Sequence, residues 1–419
     1  MLDIKFIREN LKIVKDSCKK RGVDCNLDEL IKIDEKRRKL IGKIEKISAQ
    51  KNKASKEISK ADQKEKKKII AEIKKTDKEN DKLEKEFKKI EEKFLDLMLM
   101  VPNILIPGVP TGKDDSENIV LKKIGKPTIF NFPAKDYMQL GESLDLIDTK
   151  RAAKTAGSRF GFIKGKGVLL EFALINFAFD ILTKKGFIPI APPVIIKPEM
   201  ARAMGYLQQT NKDEAYHLQQ DDLYLIATAE QSLGAMRSGE ILSEKELPAR
   251  YAGFSTCFRR EAGSYGKDTR GIFRVHQFDK IEMFSFVKPE DSQKEHQLLL
   301  GIEEELMQKL KLPYQVVHNC TGDLGDPAAE KFDIEAWLPS ENRYRETHSV
   351  SNCTDFQSRR LETRYRDKEN KLKFVYTLNG TALAIGRILI MIMENYQQKD
   401  GSIKVPEALQ KYTGFREVA

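Results

Sequence analysis

Apolar side chains in the first quarter of the chain recur at alternating steps of three and four residues, the spacing of a coiled-coil seam. One seam runs from position 30 to 61 and another from 69 to 97, with a polar stretch between them. Their members are Leu30, Ile33, Arg37, Leu40, Ile44, Ile47, Lys51, Ala54, Ile58 and Ala61, then Ile69, Ile73, Thr76, Asn80, Leu83, Phe87, Ile90, Phe94 and Leu97. The pattern predicts an antiparallel helical hairpin over about residues 27–100, with its tip near residues 62–67.

Proline is absent before Pro102 and then recurs in the stretch VPNILIPGVPTGKDDSEN, which predicts a domain boundary. We expect residues 1–101 to form an arm domain, 102–118 a linker and 119–419 a second domain. Residues 1–25 have the spacing of a separate amphipathic helix at the base of the arm. At ~1.5 Å per residue each hairpin helix would reach ~50 Å, which favours a projecting arm.

The second domain alternates short runs of β-branched and aromatic residues with a few helical stretches. Residues 167–185 have helical spacing. Strands are predicted at 223–226, 250–258, 271–287, 314–317, 333–338 and 374–378. The elements show no strand–helix–strand rhythm, so a parallel sheet is not expected. The pattern predicts an α+β protein, in which a helical hairpin precedes a mainly antiparallel β-sheet flanked by helices.

Charge is concentrated in the predicted arm. The 419 residues include 74 basic and 64 acidic side chains, a net charge of +10. Residues 1–100 hold 30 basic and 21 acidic side chains, whereas the other 319 residues hold 44 and 43. A basic hairpin suits a polyanion such as a nucleic acid, but a solvated coiled coil used for dimerisation has the same composition. Charge alone leaves both interpretations open.

Apolar runs and cysteines indicate the compartment. No apolar run approaches the ~20 residues that a membrane-spanning helix needs, and the first residues, MLDIKFIREN, lack a signal-like stretch. The five cysteines are scattered and include no CxxC pair. This usage favours a reducing cytoplasm and argues against a disulfide-bonded scaffold.

Polar residues gather in four segments where a buried sheet would otherwise need apolar side chains. The segments are ATAEQ, FRREAGSYGKDTRGIFRVHQFDKIEMF, YRETHSVSNCTDFQSRR and TLNGTALAIGRIL. Alternation along a strand would give each of these sets a shared face: Thr228 and Glu230; Arg259 and Glu261; Arg274, Phe278 and Glu282; Thr377, Asn379 and Thr381. A helix is predicted after the last set, and it would include Arg387.

These residue types suit the handling of a polyphosphate. Arginine forms bidentate hydrogen bonds with phosphate oxygens, an aromatic ring stacks on a nucleobase, and a carboxylate together with a hydroxyl can bind Mg²⁺. No GxxxxGK[ST] or GxGxxG motif is present, so neither common phosphate loop is available. Taken singly, an Arg–Glu pair also fits a structural salt bridge, Phe278 a core residue, and His276 or His348 a hydrogen-bonded scaffold. Their joint occurrence favours a nucleotide site.

The longest of these segments also carries a family resemblance. Motif 2 of the class II aminoacyl-tRNA synthetases, in the form typical of the seryl-tRNA synthetase family, resembles FRREAGSYGKDTRGIFRVHQFDKIEMF. Motif 3 resembles LNGTALAIGR, motif 1 resembles GFIPIAPPVI with Pro193 as its proline, and the family's C-terminal tail resembles KDGSIKVPEALQKY. The family's serine-binding loop resembles ATAEQ, and SNCTDFQSRR is another family stretch. Because the resemblance covers essentially the whole chain, it implies a class II synthetase-type catalytic domain at residues 119–419 and a tRNA-binding arm at residues 1–101.

The resemblance implies a set of ATP-binding residues: Arg259, Glu261, Arg274, Phe278, Glu346, Ser349 and Arg387. Arg259 and Arg387 are the two expected to act in catalysis, Arg259 by bridging the amino-acid carboxylate and the α-phosphate. Glu261 would contact the adenine amino group, and Arg274 the distal phosphates. Phe278 and Arg387 would enclose the adenine ring.

The resemblance also implies a serine pocket and a metal site. The serine-binding residues would be Thr228, Glu230, Arg259, Glu282, Asn379 and Thr381. Glu346 and Ser349 would hold Mg²⁺. The small residues usual between Glu346 and Ser349 are replaced by Thr347 and His348, which leaves the role of His348 open. The TxE pattern of the serine loop argues against the divergent zinc-dependent subtype, so no zinc is expected.

The activity implied is that of a serine–tRNA ligase, which activates L-serine with ATP and transfers it to the 3′ end of tRNA(Ser) and, where it exists, tRNA(Sec). A cytoplasmic homodimer joined through motif 1 is implied as well, with no membrane association. Two alternatives remain open: a paralogue that loads a carrier protein, and a non-catalytic tRNA-binding homologue. The long arm argues against the first, and the full set of arginines and carboxylates argues against the second.

Overall fold

A computed structural model describes residues 1–58, 62–207, 212–262, 268 and 270–419, with residues 68 and 72 described by their backbone only. The chain divides into two compact units, residues 2–102 and residues 103–419. Within the described ranges, no helix is both long enough and apolar enough to cross a bilayer.

The first unit is helical. Its helices are α1 (Ile4–Glu9), α2 (Leu11–Lys20), α3 (Leu27–Ile58) and α4 (Gln63–Leu99). Ion pairs join α3 and α4 in antiparallel order, Arg37 with Glu91 and Lys51 with Asp77. The Arg37 guanidinium also lies 4.7 Å from the ring centre of Phe94. The predicted antiparallel hairpin is therefore confirmed.

The predicted seam is confirmed by burial. Its most buried members are Leu30, Ile33, Leu40, Ile47, Asn80 and Phe94. Two other seam positions, Arg37 and Lys51, bridge the helices through the ion pairs above. Apolar side chains every three or four residues face the partner helix, and burying them stabilises the pair more than helix propensity does. The predicted seam position Ala61 lies outside the described residues.

The predicted position of the hairpin tip, residues 62–67, is wrong. Asp62 is the N-cap of α4, and its side chain accepts hydrogen bonds from the backbone N–H groups of Lys64 and Glu65, both at 2.9 Å. An aspartate in this position satisfies the free N–H groups of a first helical turn. The polar stretch that begins at Asp62 is thus mainly the first turn of α4.

The single N-terminal helix predicted over residues 1–25 is in fact two helices. Asn10 separates α1 from α2 with a non-helical backbone (φ −128°, ψ 36°). Its side-chain amide donates to the carbonyl of Phe6 at 3.1 Å. An asparagine side chain that bonds to nearby backbone competes with helix continuation.

The second unit combines helices with a large sheet. The helices are α5 (Tyr137–Ser143), α6 (Thr149–Ala156), α7 (Lys166–Lys184), α8 (Pro198–Ala203), α9 (Ala229–Ala235), α10 (Ser292–Lys309), α11 (Phe356–Leu361), α12 (Ile385–Asn395) and α13 (Glu407–Thr413). The strands are β1 (Ile119–Ile124), β2 (Ile147–Asp148), β3 (Phe162–Ile163), β4 (Ile188–Ile190), β5 (Ile195–Ile196), β6 (His217–Leu218), β7 (Leu223–Leu225), β8 (Ile241–Ser243), β9 (Ala249–Phe258), β10 (Gln277–Val287), β11 (Tyr314–His318), β12 (Glu330–Leu338), β13 (Arg343–Asn352), β14 (Arg364–Arg366), β15 (Leu372–Phe374), β16 (Tyr376–Ala384), β17 (Ile403–Lys404) and β18 (Glu417–Val418). Residues 102–118 hold a 3₁₀ turn at Asp115–Glu117 and neither an α-helix nor a strand.

The main sheet is antiparallel apart from one edge. Its order within the described residues is β1-β11-β12-β13-β16-β10-β9-β4, and only the β4–β9 pair is parallel. The predicted antiparallel sheet flanked by helices is therefore confirmed. The strand predicted over 271–287 begins only at Gln277, and β13 was not predicted as a strand.

One face of this sheet is packed against helices. On β10, Ile281 and Met283 are fully buried in the main hydrophobic core, which also includes residues of α7, α10 and α12. Because side chains alternate along a strand, Lys280 and Glu282 point to the other face. The opposite face of β10 and its neighbours is therefore available for polar chemistry.

Candidate active site

An open cleft lies over the central strands of the sheet. It has two adjoining sections, which share Arg259, Glu261, Arg274, Glu346 and Arg387. The first section is also lined by Phe278, Lys280, Ser349 and Thr381, and the second by Tyr206, Ala227 and Gln231. The structure therefore brings every predicted ATP-binding residue to one cleft.

Arg259 is held at the point where β9 ends. Its Nε donates to the carbonyl of Ala227 at 3.3 Å, and its guanidinium lies 5.2 Å from the ring centre of Phe278 on β10. The Arg259 backbone is tied to His276, whose carbonyl accepts from Arg259 N at 3.0 Å and whose Nδ1 lies 3.0 Å from Arg259 O. His276 is thus a scaffold residue that fixes the position of Arg259.

Glu261 and Arg274 do not lie on strands, so the predicted shared faces with Arg259 and with Phe278 are wrong. Glu261 has a left-handed backbone (φ 52°) just after β9, and Arg274 precedes β10. The two side chains instead pair with each other, Arg274 Nη1 donating to Glu261 Oε2 at 2.9 Å. The predicted loop between them, Gly263 to Gly271, lies largely outside the described residues.

A β-bulge explains how Glu346 and Ser349 both line the cleft. Ile334 pairs with His348 but Glu335 pairs with Glu346, so Thr347 is an extra residue in β13. The extra residue reverses the alternation, and two side chains three positions apart then share a face. His348 faces away and is buried, and its Nδ1 lies 2.8 Å from the Thr347 hydroxyl.

Arg387 on α12 holds Glu346 in place. Its Nη1 donates to the Glu346 carbonyl at 2.9 Å and lies 3.5 Å from the Glu346 carboxylate. Desolvation in the cleft would raise the pKa of Glu346, but the charges of Arg387, Lys331 and Arg259 outweigh it, so the pKa of this carboxyl is lowered. An ionised carboxylate beside the Ser349 hydroxyl offers the hard oxygen ligands that Mg²⁺ takes.

The ATAEQ segment is not a strand, so the predicted shared strand face of Thr228 and Glu230 is wrong. Thr228 is the N-cap of α9, and its hydroxyl accepts from the backbone N–H of Glu230 at 3.3 Å. The same hydroxyl donates to Glu282 Oε2 at 3.0 Å. Thr228 thereby joins the start of α9 to the cleft face of β10.

Glu230 is a buried carboxyl at the bottom of this region. Its Oε2 accepts from the Tyr206 hydroxyl and its Oε1 from Gln357 Nε2, each at 2.9 Å. Burial, together with the nearby charge of Glu282, raises the pKa of Glu230 to about 7. Tyr206 and Gln357 were not predicted, because they lie far from Glu230 in sequence and belong to no local pattern.

Glu282 and Thr381 are direct partners across β10 and β16. A shift in register next to this pair leaves Ala382 unpaired, so the two strands bend where the pocket forms. Of the predicted serine-binding residues, Arg259 and Thr381 line the cleft, whereas Thr228, Glu230, Glu282 and Asn379 do not. Asn379, two residues before Thr381, donates to Cys353 Sγ at 3.9 Å. The structure therefore places Asn379 next to the pocket and Thr381 in it.

Comparison with known proteins covers both units. Residues 1–105 match the model of the seryl-tRNA synthetase N-terminal domain, and residues 214–396 match the class II tRNA synthetase core domain (G, H, P, S and T). A serine–tRNA ligase from Dictyoglomus turgidum is 44% identical over 421 residues, covering 100% of this chain and 99% of the relative. One from Petrotoga mobilis is 46% identical and covers 99% of each chain.

The chain belongs to the seryl-tRNA synthetase family.

Solved structures agree with the family assignment over the full length. Seryl-tRNA synthetase from Pyrococcus horikoshii, solved with ATP, superposes with a TM-score of 0.90 at 40% identity, covering 100% of this chain and 99% of that one. The cytoplasmic serine–tRNA ligase of Naegleria fowleri, solved with AMP, has a TM-score of 0.85 at 36% identity and covers 100% and 98%. The predicted fold, a helical arm followed by a class II synthetase-type catalytic domain, is confirmed.

Across the described part of the chain, no three His, Cys, Asp or Glu side chains are grouped so that they would bind a metal ion. A metal at Glu346 and Ser349 would therefore take its remaining ligands from phosphates and water, which is the usual mode for Mg²⁺.

Beneath the pocket, on the opposite face of the sheet, lies a second buried carboxyl group. Glu303 of α10 is fully buried, and neither of its carboxyl oxygens has a hydrogen-bond partner among the described residues. A Cβ at Gly380, next to Thr381, would lie 3.0 Å from Glu303 Oε1. Burial, with the charges of Asp333 and Glu282, raises the pKa of Glu303 well above its usual range.

Glu303→Gln is expected to stabilise the enzyme increasingly as pH rises. Native Glu303 keeps its proton while the unfolded chain releases it above pH ~4.3, so wild-type stability falls with rising pH. The gain in free energy of unfolding should therefore grow by ~1.4 kcal/mol per pH unit between pH 5 and 7. Urea denaturation at three pH values measures this change in the free energy of unfolding.

Glu304→Gln, which breaks an ion pair with Lys122, is the control and should lower stability. A Glu303→Gln gain that does not change with pH would contradict the assignment.

Proposed function

We propose that this serine–tRNA ligase forms seryl-adenylate in the cleft and transfers the seryl group to tRNA there. The proposal rests on one observation, that two halves adjoin in a single cleft. The first half suits phosphates and a nucleobase, and the second is a small buried polar pocket. Arg259, Phe278 and Arg387 belong to the first half, and Glu282 and Thr381 to the second. An α-phosphate bound beside Arg259 would lie next to a serine carboxylate at the same guanidinium.

In the proposed reaction the serine carboxylate attacks the α-phosphorus of ATP in line and pyrophosphate leaves. Arg259 would orient the carboxylate and neutralise the charge that develops on the α-phosphate. Phe278 and Arg387 would enclose the adenine, Glu261 would accept from its amino group, and Arg274 would hold the distal phosphates. Because Arg274 and Glu261 pair with each other, ATP would have to separate them. No side chain needs to form a covalent intermediate.

Mg²⁺, when bound, would supply positive charge to the phosphates. Glu346 and Ser349 are its proposed protein ligands, since both line the cleft and the pKa of Glu346 is lowered. Arg387 would keep the Glu346 carboxylate oriented through the contacts described above. The proposal requires only these two protein ligands.

Serine selection is proposed to rest on hydrogen bonds to a small hydroxyl group. Glu282 and Thr381 would pair with that hydroxyl, and Thr228 and Glu230 would contact the ammonium group. A site whose polar groups are built to pair with a hydroxyl rejects an analogue without one, because the buried groups are left unpaired. The proposed pocket therefore excludes alanine by lost hydrogen bonds and threonine by volume.

The arm is proposed to bind tRNA(Ser), and tRNA(Sec) where the cell has it. Support comes from the excess of positive charge in residues 1–100 and from the two long exposed helices, of 32 and 37 residues. Lysine-rich helices suit a phosphate backbone without sequence-specific contacts. The terminal ribose of the tRNA would then accept the seryl group from the adenylate.

A homodimer through motif 1 is also proposed. Leu169 and Phe172 on α7 are 49% and 56% exposed, and Ile188 on the edge strand β4 is 57% exposed. Large apolar side chains exposed together on contacting elements are typical of a subunit interface. The scattered cysteines favour a reducing compartment, and we propose the cytoplasm as the location.

Arg259→Ala is expected to reduce serine-dependent ATP–pyrophosphate exchange by at least roughly 10²-fold, because it removes charge stabilisation at the reacting phosphate. Arg260→Ala is the matched control: the neighbouring guanidinium lies 5.6 Å from the Tyr216 ring and does not line the cleft. That variant should retain exchange within about threefold of wild type. Normal exchange by a folded Arg259→Ala enzyme would refute the proposed role.

Replacement of residues 35–95 by a short glycine–serine loop is expected to spare adenylate formation and abolish tRNA charging. The cleft residues all lie beyond residue 200, whereas the deleted segment holds most of the arm. Pyrophosphate exchange is the internal control for an intact catalytic domain, and aminoacylation of total tRNA is the readout. Charging at the wild-type rate would show that the arm does not bind tRNA.

A further inference from the structure

Lys280 lies on the cleft face of β10, two residues from Glu282, and belongs to none of the predicted ATP-binding, serine-binding or metal-binding sets. The side chain is buried, with 9% exposure against 3% for Glu282, and its ammonium group contacts Glu282 Oε2. Residues two apart on a strand share a face, so both side chains lie on the cleft side of the sheet. Lys280 and Thr381 line the cleft, and Glu282 lies between them as the direct strand partner of Thr381.

The contacts of Glu282 are arranged asymmetrically. Thr228 donates to Oε2 at 3.0 Å, and Lys280 contacts the same oxygen. Among the described residues, Glu282 Oε1 has no hydrogen-bond partner. Oε1 is also not one of the polar atoms that are both unpartnered and closed off from solvent. The pocket therefore holds Glu282 by one oxygen and leaves the other free to accept a hydrogen bond.

Lys280 is also placed among several acidic groups. Its charge acts on Glu230 of α9, Glu303 of α10 and Glu346 of β13, as well as on its direct partner. Glu230 and Glu303 have raised pKa values because of their burial. A carboxylate in such a site stays ionised only if a cation or several hydrogen bonds compensate for its burial. Lys280 places a cation in direct contact with the buried Glu282 carboxylate.

We propose that Lys280 is a positioning residue for serine, which holds Glu282 by its Oε2 atom and so directs Glu282 Oε1 toward the substrate hydroxyl. The inference rests on the proposed function, because it assumes that serine occupies this pocket. Lys280 touches Glu282 and not the reacting atoms, so it acts on substrate recognition and not on phosphoryl chemistry. Without the ammonium group, Glu282 would lose its ion-pair partner, and its carboxylate would no longer be fixed in this orientation.

Lys280→Met tests this inference in the full-length enzyme by ATP–pyrophosphate exchange. The KM for serine should rise at least tenfold, while the KM for ATP and the kcat at saturating serine should stay within about threefold. Lys280→Arg, which keeps the charge, should recover most of the serine affinity. Lys288→Met is the matched control, since Lys288 follows the same strand, pairs with Glu244 at 3.5 Å and lies outside the cleft.

A double-mutant cycle separates positioning from a general structural role. In a Glu282→Gln background, Lys280→Met should change the serine KM by less than about twofold, because the residue on which Lys280 acts is already neutral. The double variant also carries no unpaired charge, so it remains measurable if Lys280→Met alone fails to fold. An undiminished effect of Lys280→Met in that background would overturn the inference. An unchanged serine KM in the folded single variant would overturn it as well.

Failure of this inference is distinguishable from failure of the proposed function. If the wild-type enzyme shows no serine-dependent exchange, the proposed function is wrong. If wild type exchanges with serine and Lys280→Met behaves like Lys288→Met, then only the positioning role is wrong.

Discussion

Strand β10 is the element on which both halves of the cleft depend. It pairs with β9 on one side and β16 on the other, so its register sets which side chains meet across three strands. Ile281 and Met283 anchor it in the core, and this fixes the cleft-facing set as Phe278, Lys280 and Glu282. A slip of one residue would turn Lys280 and Glu282 toward the apolar core, and Ile281 and Met283 toward the cleft. The core therefore guarantees the geometry of the site.

The same arrangement has an energetic cost that falls on buried acids. Glu230, Glu282 and Glu303 all lie within or beneath the pocket, and each is less than a tenth exposed. Glu230 is held by two neutral donors, Glu282 by an ammonium and a hydroxyl, and Glu303 by no hydrogen bond among the described residues. A polar substrate needs polar partners in its pocket, but burying such groups lowers the stability of the fold. The requirements of stability and of function therefore conflict at this pocket.

The sequence predicts the elements better than it predicts the site. Heptad spacing was sufficient for the arm, because a two-helix seam is a local pattern, and alternation correctly placed Glu282 and Thr381 on strands. It failed for Thr228 and Glu230, because a threonine before a helix serves as an N-cap in a segment short enough to resemble a strand. The alternation argument failed again at Arg274, which precedes its strand.

The bulge at Thr347 has no signature in the residues themselves, since register is a property of two strands. Alternation also places Lys280 on the face of Phe278 and Glu282, but it does not show that Lys280 contacts Glu282, because side-chain contacts depend on packing.

The central claim is that a small pocket built to pair with a hydroxyl group makes this cleft specific for serine. ATP–pyrophosphate exchange measured with each of the twenty amino acids tests it most directly. The account predicts efficient exchange with serine and a kcat/KM for alanine lower by on the order of 10⁴-fold, as expected when buried polar groups lose their partner. Exchange with alanine comparable to that with serine would contradict it.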